Sequence, residues 1–201
     1  MRTKHIFIVM VIMVCLSMTG DVNAKIQDFW VGGAIGQFSP TEQMFKDLYG
    51  NGMQWRIEVG ADILKWLSLW ADAVNSKMTG HLTVTNEESK LTMSFLNVGI
   101  RFRFPMKNFI PYVGGGAGIV RFKEVNPIGE ARDKDGNFLG EAGVFWKLNK
   151  VFHVYGRIVY NWCQVRTEII KVNIGGISAS LGVNFYFGKL FKEKKPKVWE
   201  W

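Results

Sequence analysis

Apolar and non-apolar residues alternate one by one over long stretches of this chain. Ile177, Ala179, Leu181, Val183, Phe185 and Phe187 are apolar, and Ser178, Ser180, Gly182, Asn184 and Tyr186 stand between them. Leu96, Val98, Ile100, Phe102 and Phe104 interleave with Asn97, Gly99, Arg101 and Arg103. Trp55, Ile57, Val59, Ala61 and Ile63 interleave with Arg56, Glu58, Gly60 and Asp62. Successive side chains of a strand point to opposite faces, so a period of two predicts strands with one apolar face. The pattern predicts eight strands, at about 28–38, 54–64, 66–76, 91–104, 110–123, 138–148, 152–164 and 173–187. Their connectors alternate in length. Leu64-Lys65, Pro105 to Phe109 and Asn149-Lys150-Val151 are short, whereas segments 39–53, 77–90, 124–137 and 165–172 are longer. Short turns on one side and long loops on the other are the layout of a transmembrane barrel, and an even strand count puts both chain ends on the short-turn side.

Alternation does not say which face meets water. A soluble barrel turns its apolar face inward and a membrane barrel turns it outward. The face opposite the apolar one carries Arg56, Glu58, Asp62, Asp72, Arg101, Arg103, Glu141 and Arg157, among Gly32, Ala34, Gly36, Gly60, Gly99, Gly143, Ser178, Ser180 and Gly182. Small residues suit the inside of a barrel of about eight strands, which has room only for side chains. Within the expected strand interiors the basic residues are all Arg, and lysines fall in turns, loops, strand ends and the tail. A planar guanidinium bonds carboxylates bidentately, which suits enclosed ion pairs. The polar face therefore reads as the lumen, where the charged residues form one network because an unpaired charge would cost several kcal/mol. Such a lumen is plugged. Phe29, Trp30, Trp66, Phe104, Phe109, Trp146, Phe152, Phe185 and Phe187 would form one interfacial girdle near the short turns.

The 201 residues suit one domain, and an aromatic content of 14% argues against disorder. The start is different in kind. Met1 to Lys4 is basic, Ile6 to Met18 is almost wholly apolar, and Val22-Asn23-Ala24 ends in small residues. This predicts a cleaved signal peptide over 1–24, a barrel over 25–187 and a basic periplasmic tail over 188–201. Cys15 lies in the apolar run without the small-residue approach of a lipoprotein site. Losing Arg2, Lys4 and Asp21 would change 25 basic and 17 acidic residues to 23 and 16, net +7. The lone remaining cysteine, Cys163, could form no internal disulfide. After residue 24 no apolar run is long enough for a spanning helix, so a membrane protein here must be a closed barrel. A soluble secreted β-protein is the competing reading.

Three stretches are similar to one known family. Phe29-Trp30-Val31-Gly32-Gly33-Ala34-Ile35-Gly36 resembles its opening strand. Pro111-Tyr112-Val113-Gly114-Gly115-Gly116-Ala117-Gly118 resembles its glycine-rich fifth strand. Ser180, Gly182, Phe185 and Phe187 resemble the final-strand signal read by the barrel-insertion machinery. The family is that of outer-membrane β-barrel domains, which includes the OmpA transmembrane domain, OmpX and the opacity-type surface antigens. The resemblance covers about residues 26–187 and implies a small eight-stranded barrel in the outer membrane of a Gram-negative-type bacterium. Many members end at the terminal aromatic, whereas this chain continues to Trp201. Family roles range over adhesion, envelope stability and defence, so membership selects none of them.

Little in the chain suggests chemistry. A hydrolase needs a nucleophile, a base and an orienting acid. His81 falls in an expected outer loop and His153 near a strand start, followed by Val154 and Tyr155, not by the Ser of a lipid-deacylating barrel. Cys163 has no evident base and reads as a small apolar side chain. Two scattered histidines and one cysteine supply no zinc site. Gly114 to Gly118 opens no helix and precedes no Lys-Ser/Thr pair, so it is no phosphate loop. Charge gathers at the periplasmic rim: Lys25, Lys65, Lys107, Lys147, Lys150, Lys189, Lys192, Lys194, Lys195 and Lys197 face only Asp28, Glu193 and Glu200. That excess is either a solvated tail or a contact to anionic headgroups or cell wall. Export and alternating strands fit no nucleic-acid role. Segment 39–53, with Phe45, Leu48, Tyr49 and Met53, could bind a partner or fold over the barrel mouth.

The expectation is an all-β protein: a closed, eight-stranded, antiparallel up-and-down transmembrane barrel with a structural or surface-interaction role. A narrow porin-like channel is the alternative, and a lipid-modifying enzyme is a third. No catalytic, cofactor or metal residue is expected. The expected partners are outer-membrane lipids, the barrel-assembly machinery and a surface ligand of the outer loops.

Overall fold

The structure is a computed structural model that describes residues 28–81, 87–127, 129–166 and 171–187. Its strands are β1 (Asp28–Pro40), β2 (Gly52–Leu64), β3 (Leu67–His81), β4 (Glu88–Arg103), β5 (Phe109–Asn126), β6 (Gly129–Lys147), β7 (Phe152–Arg166), β8 (Lys171–Asn173) and β9 (Gly176–Tyr186), with one helix, α1 (Gln43–Tyr49). From β1 to β8 each strand pairs antiparallel with the next in sequence, and β9 closes the sheet between β7 and β1. β8 and β9 are one barrel strand, because Gln164↔Asn173 and Asn161↔Gly176 keep a single register. The break falls at Ile174-Gly175, where the Gly175 N–H donates to Asn173 Oδ1 at 3.0 Å. The result is a closed eight-stranded barrel. The expected signal peptide and tail lie outside the described residues.

The stagger follows from register. Trp30 leads to Gly60, Trp70, Gly99, Gly116, Leu139, Asn161 and Gly176, and from Gly176 back into β1 at Pro40, ten residues beyond the start. For eight strands that stagger tilts each strand by about 45° and leaves a lumen only side chains can fill.

Burial separates the two faces. Leu96 and Val98 are 56% and 62% exposed, whereas Asn97, between them, is 2% exposed. The apolar face is therefore the outer wall. Phe29, Trp66, Phe104, Phe109, Trp146 and Phe152 stand on it near the short turns, and Phe109 stacks on Trp146 at 5.8 Å. Trp30 is an exception to the expected girdle. It shares the inward phase of β1 and is 3% exposed inside the barrel.

The strands extend further outward than the sequence pattern predicts. Segments 77–90 and 124–137, expected as loops, are largely strand: β3 runs to His81, β4 starts at Glu88, β5 runs to Asn126 and β6 starts at Gly129. The reason is a reversal of phase. In β4 the outward residues are Phe102, Ile100, Val98 and Leu96, then Ser94, Thr92 and Lys90, while Phe95, Met93 and Leu91 turn inward. In β5, Ile119 is outward, followed by Arg121 and Lys123, with Val120 and Phe122 inward. In β3, Ala71 and Ala73 give way to Asn75, Lys77 and Thr79, with Val74 and Met78 inward. A wall in lipid turns apolar side chains out, and a wall in water turns them in. The reversal marks the level where lipid gives way to water. It also corrects the lysine rule, since Lys77, Lys90, Lys123 and Lys134 lie within strands, on the wetted part of the outer wall.

Inside the barrel, large rings lie over glycines. Trp30↔Gly60, Trp70↔Gly99, Tyr112↔Gly143 and Tyr155↔Gly182 are directly registered cross-strand pairs. A Cβ on Gly60 would sit 2.3 Å from the Trp30 ring, and one on Gly143 2.5 Å from the Tyr112 hydroxyl. Glycine is required there for space.

Two outcomes are expected. Gly143→Val should cost about 1–3 kcal/mol by overpacking, read as a lower urea midpoint for loss of the fast-migrating unboiled gel band. Gly140→Val, where a Cβ meets nothing within 4 Å, should leave that midpoint unchanged. With Cys163 replaced by Ser, a cysteine at Thr92 should react with an impermeant maleimide on intact cells and one at Val98 should not. Equal labelling would place the lipid boundary elsewhere.

Candidate functional site

Many polar side chains converge in the lumen, and its contents fall in three tiers. The middle tier holds most of the expected charge network. Arg101 donates from Nε to Glu141 Oε1 at 2.9 Å and from Nη2 to Glu141 Oε2 at 3.1 Å, the bidentate fork that guanidinium geometry favours. Its Nη2 also reaches Glu58 Oε2 at 3.4 Å. Arg157 Nη1 bridges Glu58 at 2.9 Å and Glu141 at 3.0 Å. Arg56 pairs with Asp72, which also accepts from Asn97 Nδ2 at 2.9 Å. These residues come from β2, β3, β4, β6 and β7, so the bonds brace strands that are not neighbours.

Aromatic rings enclose the same charges. The Arg101 guanidinium carbon lies 4.5 Å from the Tyr112 ring centroid, 5.4 Å from Phe145 and 5.5 Å from both Trp30 and Trp70. A desolvated guanidinium gains about 2 kcal/mol from a ring face, so the box and the carboxylates hold one cation together. A chain of amides extends the network outward: Asn137 Nδ2 donates to Asn97 Oδ1 at 2.9 Å and to Asn161 Oδ1 at 3.2 Å. The pattern did not single out these amides or the ring box, although all occupy inward phase positions.

The inner tier lies near the short turns. Arg103 pairs with Asp62, and Ser68 Oγ donates to Asp62 Oδ1 at 2.8 Å. So six of the eight expected charges meet in the middle tier, while Arg103 and Asp62 form a separate pair. His153 is buried here against Tyr186, with ring centroids 4.2 Å apart.

The outer tier is apolar, which the sequence pattern did not anticipate. Phe38, Tyr49, Val74, Met78, Leu91, Met93, Phe95, Val120, Cys163 and Ile174 form one buried cluster. Helix α1 lies within the expected loop 39–53 and packs beside β1 and β3, with Phe45 and Leu48 on the cluster and Tyr49 Oη 3.1 Å from Ser89 Oγ. Burial pushes the Tyr49 phenol up to about 12, so it stays neutral. Met53 points outward and is exposed.

The residues singled out for chemistry are apart from one another. Cys163 is in the outer tier, His153 in the inner one, and His81 is exposed opposite Glu88 at the far end of β3. Among the described residues no three His, Cys, Asp or Glu side chains form a metal-binding group. Of the final-strand residues, Ser180 and Gly182 face the lumen. Phe185 and Phe187 lie on the outer wall, with ring centroids 4.6 Å apart.

Removing one member of a buried pair leaves its partner uncompensated. Arg101→Met should therefore destabilise the barrel by about 3–5 kcal/mol, whereas Arg132→Gln, on the exposed hairpin, should change stability by less than about 1 kcal/mol. Equal urea midpoints for the two variants would show that the network does not brace the fold.

No curated protein matches the chain in sequence. Solved structures do match in shape. Neisserial surface protein A is 16% identical with a TM-score of 0.63, over 78% of this chain and 96% of its own. The outer membrane protein OprG of Pseudomonas aeruginosa is 13% identical with a TM-score of 0.56, over 81% of this chain and 97% of its own. The N-terminal β-barrel domain of Pseudomonas aeruginosa OprF is 16% identical with a TM-score of 0.51, over 81% of this chain and all of its own. At such identities the likeness shows the fold. The sequence model for the outer membrane protein beta-barrel domain matches residues 7–187. Closed antiparallel topology, an apolar outer wall and that match agree: the chain belongs to the outer membrane protein β-barrel domain family and is a protein of the bacterial outer membrane.

Proposed function

We propose that this protein is a closed, non-conducting barrel with a structural or surface-interaction role, and that it carries out no catalysis. One observation carries the reading: the lumen is filled at every level, by an apolar cluster under α1 outside, a compensated ion network in the middle, and Arg103, Asp62 and buried rings inside. Close-packed side chains with paired charges leave no hydrated file for solute. The parts free to meet a partner are at the outer end. The β5–β6 hairpin is exposed along Gly129–Lys134, and α1 presents Met44 at 79% exposure. A rigid wall holding a projecting hairpin suits contact better than transport. The outward pair Phe185 and Phe187, on the closing strand, supports the reading of that strand as the segment offered to the assembly machinery.

The test is electrical. Purified barrel in a planar bilayer should give no discrete conductance steps, although it migrates as a folded, heat-modifiable species. Reproducible steps that persist in an independently refolded sample would replace this reading with the narrow channel.

A further inference from the structure

The reversal of phase leaves a particular surface on the outer wall. Just above the last apolar level, the outward residues form two cross-strand rows. Asn75, Ser94, Arg121 and Lys134 pair in one row, and Lys77, Thr92, Lys123 and Arg132 in the next. Ala73, Leu96 and Ile119 form the row directly beneath. A shallow cleft of about 670 Å³ opens against the upper rows, lined by Thr92, Ser94 and Phe122, by the cations Arg121, Lys123, Arg132 and Lys134, and by one carboxylate, Asp133. A second groove of about 260 Å³ runs beside and below it along Trp55, Ala73, Leu96 and Ile119, and shares Ser94 and Arg121 with the first. Cationic and apolar surfaces thus form one continuous depression.

The charge here is unbalanced. Glu130 pairs with Arg132 and with Lys123, the latter at 3.1 Å. Those two bonds hold its carboxyl below the usual range, so it remains an anion between them. Arg121, Lys134 and Lys77 form no ion pair among the described residues. Asp133 offsets one of these charges, and the cationic excess that is left at a lipid boundary, over an apolar groove, matches an amphiphile with anionic head and acyl tail. Arg121 can fork onto a phosphate, and Lys77 and Lys134 supply point charges on either side.

We propose that the β3–β6 wall binds a phosphorylated glycolipid of the outer leaflet, with head-group phosphates on Arg121, Lys134 and Lys77 and an acyl chain along Trp55, Leu96 and Ile119. The site depends on the barrel's outer-membrane placement and is independent of whether the lumen conducts.

Native mass spectrometry of the full barrel in detergent tests it, with bisphosphorylated lipid A and its fully dephosphorylated form as probes. Wild type should retain one bisphosphorylated lipid and hold the dephosphorylated one about tenfold more weakly. Arg121→Gln with Lys134→Gln should weaken retention about tenfold, while Lys107→Gln with Lys150→Gln at the opposite rim should leave it unchanged. All variants must show the fast-migrating unboiled band. If the double variant fails to fold, Lys134→Gln alone, on the exposed hairpin, should weaken retention about threefold. Equal retention of both lipids, or unchanged retention in the Arg121/Lys134 variants, overturns the site. Displacement of the lipid by a soluble heparin fragment also overturns it, in favour of a surface for polyanions from solution.

Discussion

Lipid offers a backbone no hydrogen-bond partner, and this barrel is organised by that lack. Every strand but the short β8 has a neighbour on both sides, because β9 returns to β1. In lipid each unpaired N–H or C=O would cost several kcal/mol, so closure is the condition for a sheet to exist there at all. Closure then forces the sorting of side chains. One face of each strand must meet acyl chains and the other must share a narrow lumen, whose width follows from eight strands and a ten-residue stagger.

That width sets what the lumen holds. Glycines opposite Trp30, Trp70, Tyr112 and Tyr155 make room for rings, and the rings in turn surround the Arg101 guanidinium. Carboxylates from β2 and β6 complete its surroundings. Buried charges are no reliable source of net stability. Their effect here is on specificity. A one-residue slip of β2, β3, β4, β6 or β7 would turn its charges into lipid and break pairs that span the lumen.

The eight-strand order and the inward face were legible because both rest on period two, and a barrel in lipid keeps that period strictly. Arg56, Glu58, Asp72, Arg101, Glu141 and Arg157 could be placed on one face by parity alone. Which of them touch could not, since Arg157 and Glu58 are 99 positions apart and meet only across a closed lumen. The outer ends are not legible for a related reason. From Leu91 to Phe95 the apolar residues are still alternate, but in the opposite phase, and a search for one phase reads that stretch as the end of a strand. Aromatic content near a rim suggests a girdle position for Trp30, whereas its parity points inward, and parity prevails.

Parity therefore does more than assign faces; its reversal locates a boundary between solvents. Below the reversal, Ile100, Val98 and Leu96 face acyl chains; above it, Phe95, Met93 and Leu91 form the core of a small water-soluble β-structure capped by α1. One continuous strand thus belongs to two kinds of protein in turn, and the change takes a single residue step. An inward apolar cluster above the boundary is what a wall surrounded by water requires, so plug and hairpin share one cause. The outward residues beyond that step are where this barrel can carry charge on its wall, and it does so with Lys77, Arg121, Lys123, Arg132 and Lys134, in the two cross-strand rows that follow Ala73, Leu96 and Ile119.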